Sequence, residues 1–230
     1  MLRILESKLL SSTSAAKVRF IRIDPEDISA TLSDILKALM DLSWLKHFDE
    51  DFMVQSFQQR AKITIDDIKL KFDNCDQGVL TKDAGEYVVS ELSREAIVSN
   101  LGYLDIPLAE LLGKKVSGNP GFDFHSQNCL TDTVIFGEAK YISAQSAYSS
   151  AVKQIKEFID AKKDIADISD LSPFCTPQSL RRAANGFKGF AAAFSAKGTH
   201  SDRLINAIQA RAEYAELLKY EEIILVAVNL

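Results

Sequence analysis

What this 230-residue chain lacks narrows its class first. No apolar run approaches the ~20 residues that a membrane-spanning helix needs, so the expectation is no membrane contact. The opening MLRILESKLLSSTSAAK carries Glu6 and no long apolar stretch, which argues against a secretory signal. Only three cysteines occur, Cys75, Cys129 and Cys175. They are odd in number, far apart and without metal-ligand spacing, and read as reduced thiols of a cytoplasmic protein. The pattern G-x-x-x-x-G-K is absent, so the chain has no phosphate loop with which to power itself on a nucleotide. Nor is there an excess of positive charge: 27 Lys and Arg stand against 32 Asp and Glu, a formal net charge of −5. The chain as a whole does not advertise a nucleic-acid binder.

What is present suits one large domain, or one domain with a smaller appendage: 47% of residues are hydrophobic and 26% charged. The charge is unevenly spread. Between Leu171 and Ser201 there is no acid, while Arg181, Arg182, Lys188 and Lys197 all fall there. The run reads either as a solvated face or as a DNA-binding strip for phosphates.

Periodicity orders the elements. KVRFIRI (17–23) reads as a strand. The segment DPEDISATLSDILKALMDLSWL reads as a helix, with Asp24 as cap and Pro25 at its first position. ITIDDIKLKF is open between strand and helix, with helix favoured. DNCDQG (73–78) is the linker candidate, which divides the chain into a mostly helical N-terminal region (1–76) and a domain over 77–230. TKDAGEYVVSELSREAIVSNLG follows as a helix ending near Gly102, with a short strand expected within 103–116 and a loop at 117–121. A hairpin, the helix SAQSAYSSAVKQIKEFIDAKK, a loop with a short helix over 171–200, the helix SDRLINAIQARAEYAELL and the strand EEIILVAVNL complete the chain. This order predicts an α/β fold with a small mixed central sheet flanked by helices.

The hairpin GFDFHSQNCLTDTVIFGEAKY (121–141) carries the chemistry. Side chains alternate along a strand, so Glu138 and Lys140 share a face, and a short turn brings Asp123 opposite Glu138. Two carboxylates that close repel, and one is driven to protonate unless a cation intervenes. Carboxylate oxygens, water and the backbone carbonyl of Ala139 suit Mg²⁺ or Mn²⁺. Such an ion activates water and stabilises charge on phosphate, and Lys140 beside it adds positive charge. The other reading is an exposed ion pair at a strand end. His125, on the face of Asp123, either touches phosphate or packs.

Pro120-Gly121-Phe122-Asp123 followed by Glu138-Ala139-Lys140 resembles the PD-(D/E)xK nuclease superfamily. The wider pattern DAGEYVVSEL, DIPLAELLGKK, NPGFDFH, FGEAKY is similar to the HamA nucleases of the bacterial Hachiman anti-phage system. The resemblance covers about 150 residues and none of 1–76. It implies a restriction-endonuclease-like core, in which a helix precedes a three-strand meander and a helix and a strand follow. It also implies that Asp123 and Glu138 are metal ligands and that Lys140 is the catalytic lysine. Two further residues come only from the resemblance: a helix acid, Glu86 or Glu91, at the metal, and Gln154 on the following helix. The function implied is a metal-dependent DNA nuclease, the effector of a defence complex restrained by a HamB-like helicase subunit. Trp44 and Phe48 in the N-terminal region are then candidates for docking that partner. Other readings are a restriction endonuclease or junction resolvase, and a non-catalytic module that holds DNA or a partner.

Overall fold

The computed structural model describes residues 2–12, 14–75, 79–112, 121–196 and 198–230. Most of the loop expected at 117–121 and part of the linker at 73–78 lie outside the described residues, as does Lys197. Seven strands join one sheet in the order β1-β2-β7-β6-β5-β4-β3. They are β1 (Arg3–Leu10), β2 (Lys17–Asp24), β3 (Leu104–Asp105), β4 (Phe124–Asn128), β5 (Thr133–Lys140), β6 (Gly189–Ser195) and β7 (Glu222–Val228). The four middle strands β2, β7, β6 and β5 run parallel, and β1, β4 and β3 are antiparallel to their neighbours. The fold is therefore α/β with a mixed sheet.

Parallel neighbours need crossover connections, and helices supply them. Between β5 and β6 run α4 (Tyr148–Asp160), α5 (Lys163–Asp167) and α6 (Pro177–Ala184); between β6 and β7 run α7 (Ser201–Gln209) and α8 (Ala212–Leu217). On one face of the sheet α4, α7 and α8 cover Phe20, Phe136, Phe190, Phe194 and Leu225. On the other, α1 (Ile28–Met40), α2 (Asp51–Asp73) and α3 (Lys82–Leu101) cover Ile21, Ile135, Ala139, Ala193 and Val226. Covered on both sides, β6 and β7 are buried along their whole length, the condition that lets parallel strands be continuously apolar.

Several boundaries differ from the sequence reading. β1 was not anticipated, so the N-terminal region supplies two strands as well as helices. β2 pairs with β7 from Lys17 to Ile23, so residues on either side of the 76/77 division share one sheet. α1 begins at Ile28 rather than Pro25: β2 runs on through Asp24, and Asp27 is the cap, accepting from the Ala30 amide at 2.9 Å. Asp24 instead accepts from the Glu26 amide. The segment 51–73 is a helix throughout. α4 starts at Tyr148, leaving Ala144 outside it, because the Ala147 amide is tied to the Ser195 carbonyl of β6 at 2.9 Å. Arg211 is extended and splits the last helical stretch into α7 and α8.

Trp44 and Phe48 find partners within the chain. Phe48 is buried and Trp44 half-buried, and Trp44 lies 6.1 Å from Phe48, 6.4 Å from Phe57 and 6.3 Å from Phe174. This aromatic cluster joins the turn Ser43–His47 to the segment leading into α6.

Candidate active site

α3 is aimed at the end of β5 by its own sequence. The Thr81 hydroxyl caps it by accepting from the Ala84 amide, and Gly102 ends it in the left-handed conformation. Gly85, in its first turn, lies flat against the Tyr141 ring just past β5. A Cβ at residue 85 would stand 2.2 Å from that ring, so only glycine lets the helix come this close. The next residue, Glu86, reaches 3.9 Å from Nζ of Lys140.

The hairpin sets the other groups. Phe124 pairs with Gly137 and its ring covers that glycine, where a Cβ would meet it at 2.3 Å. Just before β4, the Asp123 amide donates to the Gly137 carbonyl at 2.9 Å, and Oδ2 of Asp123 accepts from the Ala139 amide at 2.8 Å. The Asp123 carboxylate is thereby held one step beyond the ladder, beside Ala139. Glu138 is buried at 1% exposure, and its Oε1 accepts from the Lys140 ammonium at 2.6 Å. Burial works against the Lys140 charge, but Glu138, Asp123 and Glu86 outweigh it and hold the pKa above the ordinary lysine value. Three carboxylates thus act on one ammonium at the carboxyl end of β5.

A cleft of about 180 Å³ opens beside them, lined by Lys71, Asp83, Glu86, Tyr87, Ser90, Glu110 and Asp123. Lys71 and Glu110 were not singled out from the sequence. Glu110 was detectable as a lone acid inside the apolar run IPLAELL. It is buried, and its carbonyl accepts from Thr64 of α2 while the neighbouring Ala109 amide donates to the Asp123 carbonyl.

The remaining candidates separate. Glu91 is buried in a two-bond contact with Arg94, at 2.9 and 2.6 Å, so of the two helix acids only Glu86 reaches Lys140. His125 is buried and bonds Oδ2 of Asp167 at 3.1 Å, an oxygen that also accepts from the Phe122 amide; it packs and takes no place in the cleft. Gln154 is half-buried in the second turn of α4. The described basic residues of 171–201 are differently placed. Lys188 is buried in an ion pair with Asp164 and lies over the Phe136 ring. It sits beside the Gly189–Ile135 pairing, at the opposite end of β5 from Lys140, roughly 17 Å away along the strand. Arg182 pairs with Glu221 at 2.6 Å. Arg181 is exposed. Cys75, Cys129 and Cys175 are free thiols, and no helix among the described residues is long and apolar enough to cross a membrane.

Comparison with protein-family models, with curated proteins and with solved structures finds no match to this chain.

Among the described residues no group of three or more His, Cys, Asp or Glu side chains is arranged to hold a metal ion. The oxygen donors nonetheless fit Mg²⁺ or Mn²⁺ in kind. Such ions usually take only one or two protein carboxylates and complete their shell with water and substrate phosphate. Asp123 and Glu138 are two carboxylates flanking Ala139, and the Lys140 ammonium is the positive charge that Glu138 has in this arrangement.

Proposed function

We propose that the chain is a metal-dependent deoxyribonuclease of the PD-(D/E)xK type, hydrolysing phosphodiester bonds at the carboxyl end of β5. One observation carries the reading: the charges of Glu138, Asp123 and Glu86 act together on the Lys140 ammonium, and two of those carboxylates, Asp123 and Glu86, line a cleft. The order α3, then β3-β4-β5, then α4 and β6 supports it, since this is the helix, meander, helix and strand that the resemblance implies.

Asp123, Glu138 and the Ala139 carbonyl would hold Mg²⁺ or Mn²⁺, with Glu86 the helix acid nearest to them. A bound ion of this kind acidifies water and offsets charge on a phosphate oxygen. Lys140 would leave Glu138 as that charge is replaced, and its ammonium would orient the attacking water or stabilise charge developing on the phosphate. The two glycines keep the donors in place, Gly85 for the helix acid and Gly137 for the strand pairing.

The sequence resemblance to HamA nucleases adds a context, an anti-phage effector held in check by a HamB-like helicase. It is tested by co-expression with such a helicase, which should give a stable complex of low basal activity; free cleavage by the complex without ATP would remove that part.

The catalytic reading is tested with purified protein and plasmid DNA. Cleavage should require Mg²⁺ or Mn²⁺, stop with chelator, and fall at least ~10²-fold in Glu138→Gln. Full activity in EDTA would show that the carboxylates serve another purpose.

A further inference from the structure

One residue that lines the cleft, Lys71, comes from α2, in the part of the chain where no catalytic pattern was found. The cleft residues Asp83, Glu86, Glu110 and Asp123 are acids, and Lys71 of α2 is the one cation among the described residues that line it. Four carboxylates against one ammonium leave a formal charge of −3. DNA is a polyanion, and a site so charged repels it unless positive charge is supplied along its path. A divalent ion at Asp123 and Glu138 would serve the phosphate under attack. It does not serve the neighbouring phosphates.

Lys71 is placed to do so. Its side chain is 29% exposed, and Nζ lies 5.0 Å from the centre of the Tyr87 ring, which also lines the cleft. Its ion-pair partner Asp67, one helical turn back, is itself 56% exposed. Pairs with such solvent-facing partners contribute little to stability, so the ammonium can exchange Asp67 for a phosphate.

Resting on the nuclease reading above, we propose that Lys71, seated on the Tyr87 ring, is a phosphate-binding subsite for the DNA strand next to the bond that is cut. The N-terminal region is then part of the substrate site.

The experiment measures binding of a short labelled DNA duplex by anisotropy in Ca²⁺ over a range of salt, and steady-state cleavage in Mg²⁺. Lys71→Ala should weaken binding at least about tenfold, with the loss falling on KM more than on kcat. The slope of log Kd against log salt should drop by about one. Lys71→Arg should restore affinity. Lys71→Met, which keeps the stem on Tyr87, should behave as the alanine variant does and covers the case in which alanine fails to fold. Asp67→Asn separates this role from a mere tie along α2: a subsite predicts binding as tight as wild type or tighter. Unchanged affinity and salt slope in folded Lys71→Met, or an equal loss in Asp67→Asn, would overturn the proposal. Wild-type protein that binds DNA without cutting it would sink the catalytic reading alone, since the salt slope decides Lys71 independently. Failure of the wild type to bind DNA overturns both.

Discussion

Gly85 and Tyr141 show how one missing side chain sets the distance between α3 and the end of β5. With a Cβ 2.2 Å from the ring, α3 or Tyr141 has to move, and Glu86 moves with the helix. Gly85→Ala should therefore cost stability by overpacking, typically ~1–3 kcal/mol, and should slow cleavage as well by drawing Glu86 away from Lys140. Thermal melting and cleavage rates check the two effects together. A variant with wild-type melting and wild-type rate would show that the helix acid does not depend on this contact. Glu91, only five positions along the same helix, illustrates the opposite outcome. Arg94 holds both its oxygens, and an acid so occupied has little to offer a cleft. Spacing in the sequence left Glu86 and Glu91 equivalent because it contains no information on which arginine folds back onto which acid.

At the scale of elements, the parts that sequence exposed are those with local signals. α3 has Thr81 at its start and Gly102 at its end, and β5 carries the short apolar run Val134-Ile135-Phe136 leading to Glu138 and Lys140. β6 has none of these. GFAAAFS is rich in alanine and glycine, which have low strand propensity, and it is a strand because β5 and β7 flank it and helices cover both its faces. β1 was missed for a related reason: as an edge strand it is largely exposed and mixes Arg3, Glu6 and Lys8 with leucines. Of the basic residues of 171–201, Lys188 turns inward just before β6, where Asp164 neutralises it. That pair yields a prediction of its own. Lys188→Ala leaves Asp164 buried without its counter-charge, which costs about 3–5 kcal/mol and should lower the melting temperature on the order of 10 °C. DNA affinity at fixed salt should stay as in the wild type at temperatures where the variant is folded. A stable variant with weakened DNA binding would return Lys188 to the nucleic-acid surface.

At the scale of the molecule, the sheet has two differently furnished ends. At the amino end of β7, Glu222 is buried and satisfied by Arg19 at 2.9 Å and Tyr103 at 2.6 Å, with Asn128 bonding both Tyr103 and Glu222. That network is closed on itself and holds β2, β4 and β7 together. At the carboxyl end of β5 the charges are gathered instead around one lysine beside a cleft. Open α/β sheets place their ligands outside the carboxyl ends of strands, and here that end lies beside β4, where the parallel strands give way to antiparallel ones. The most direct test of this account is the rate of DNA cleavage by Lys140→Ala in Mg²⁺, with its melting curve recorded alongside. The variant should fold and its cleavage should fall at least ~10²-fold below wild type. A folded Lys140→Ala that cuts DNA at the wild-type rate would contradict it.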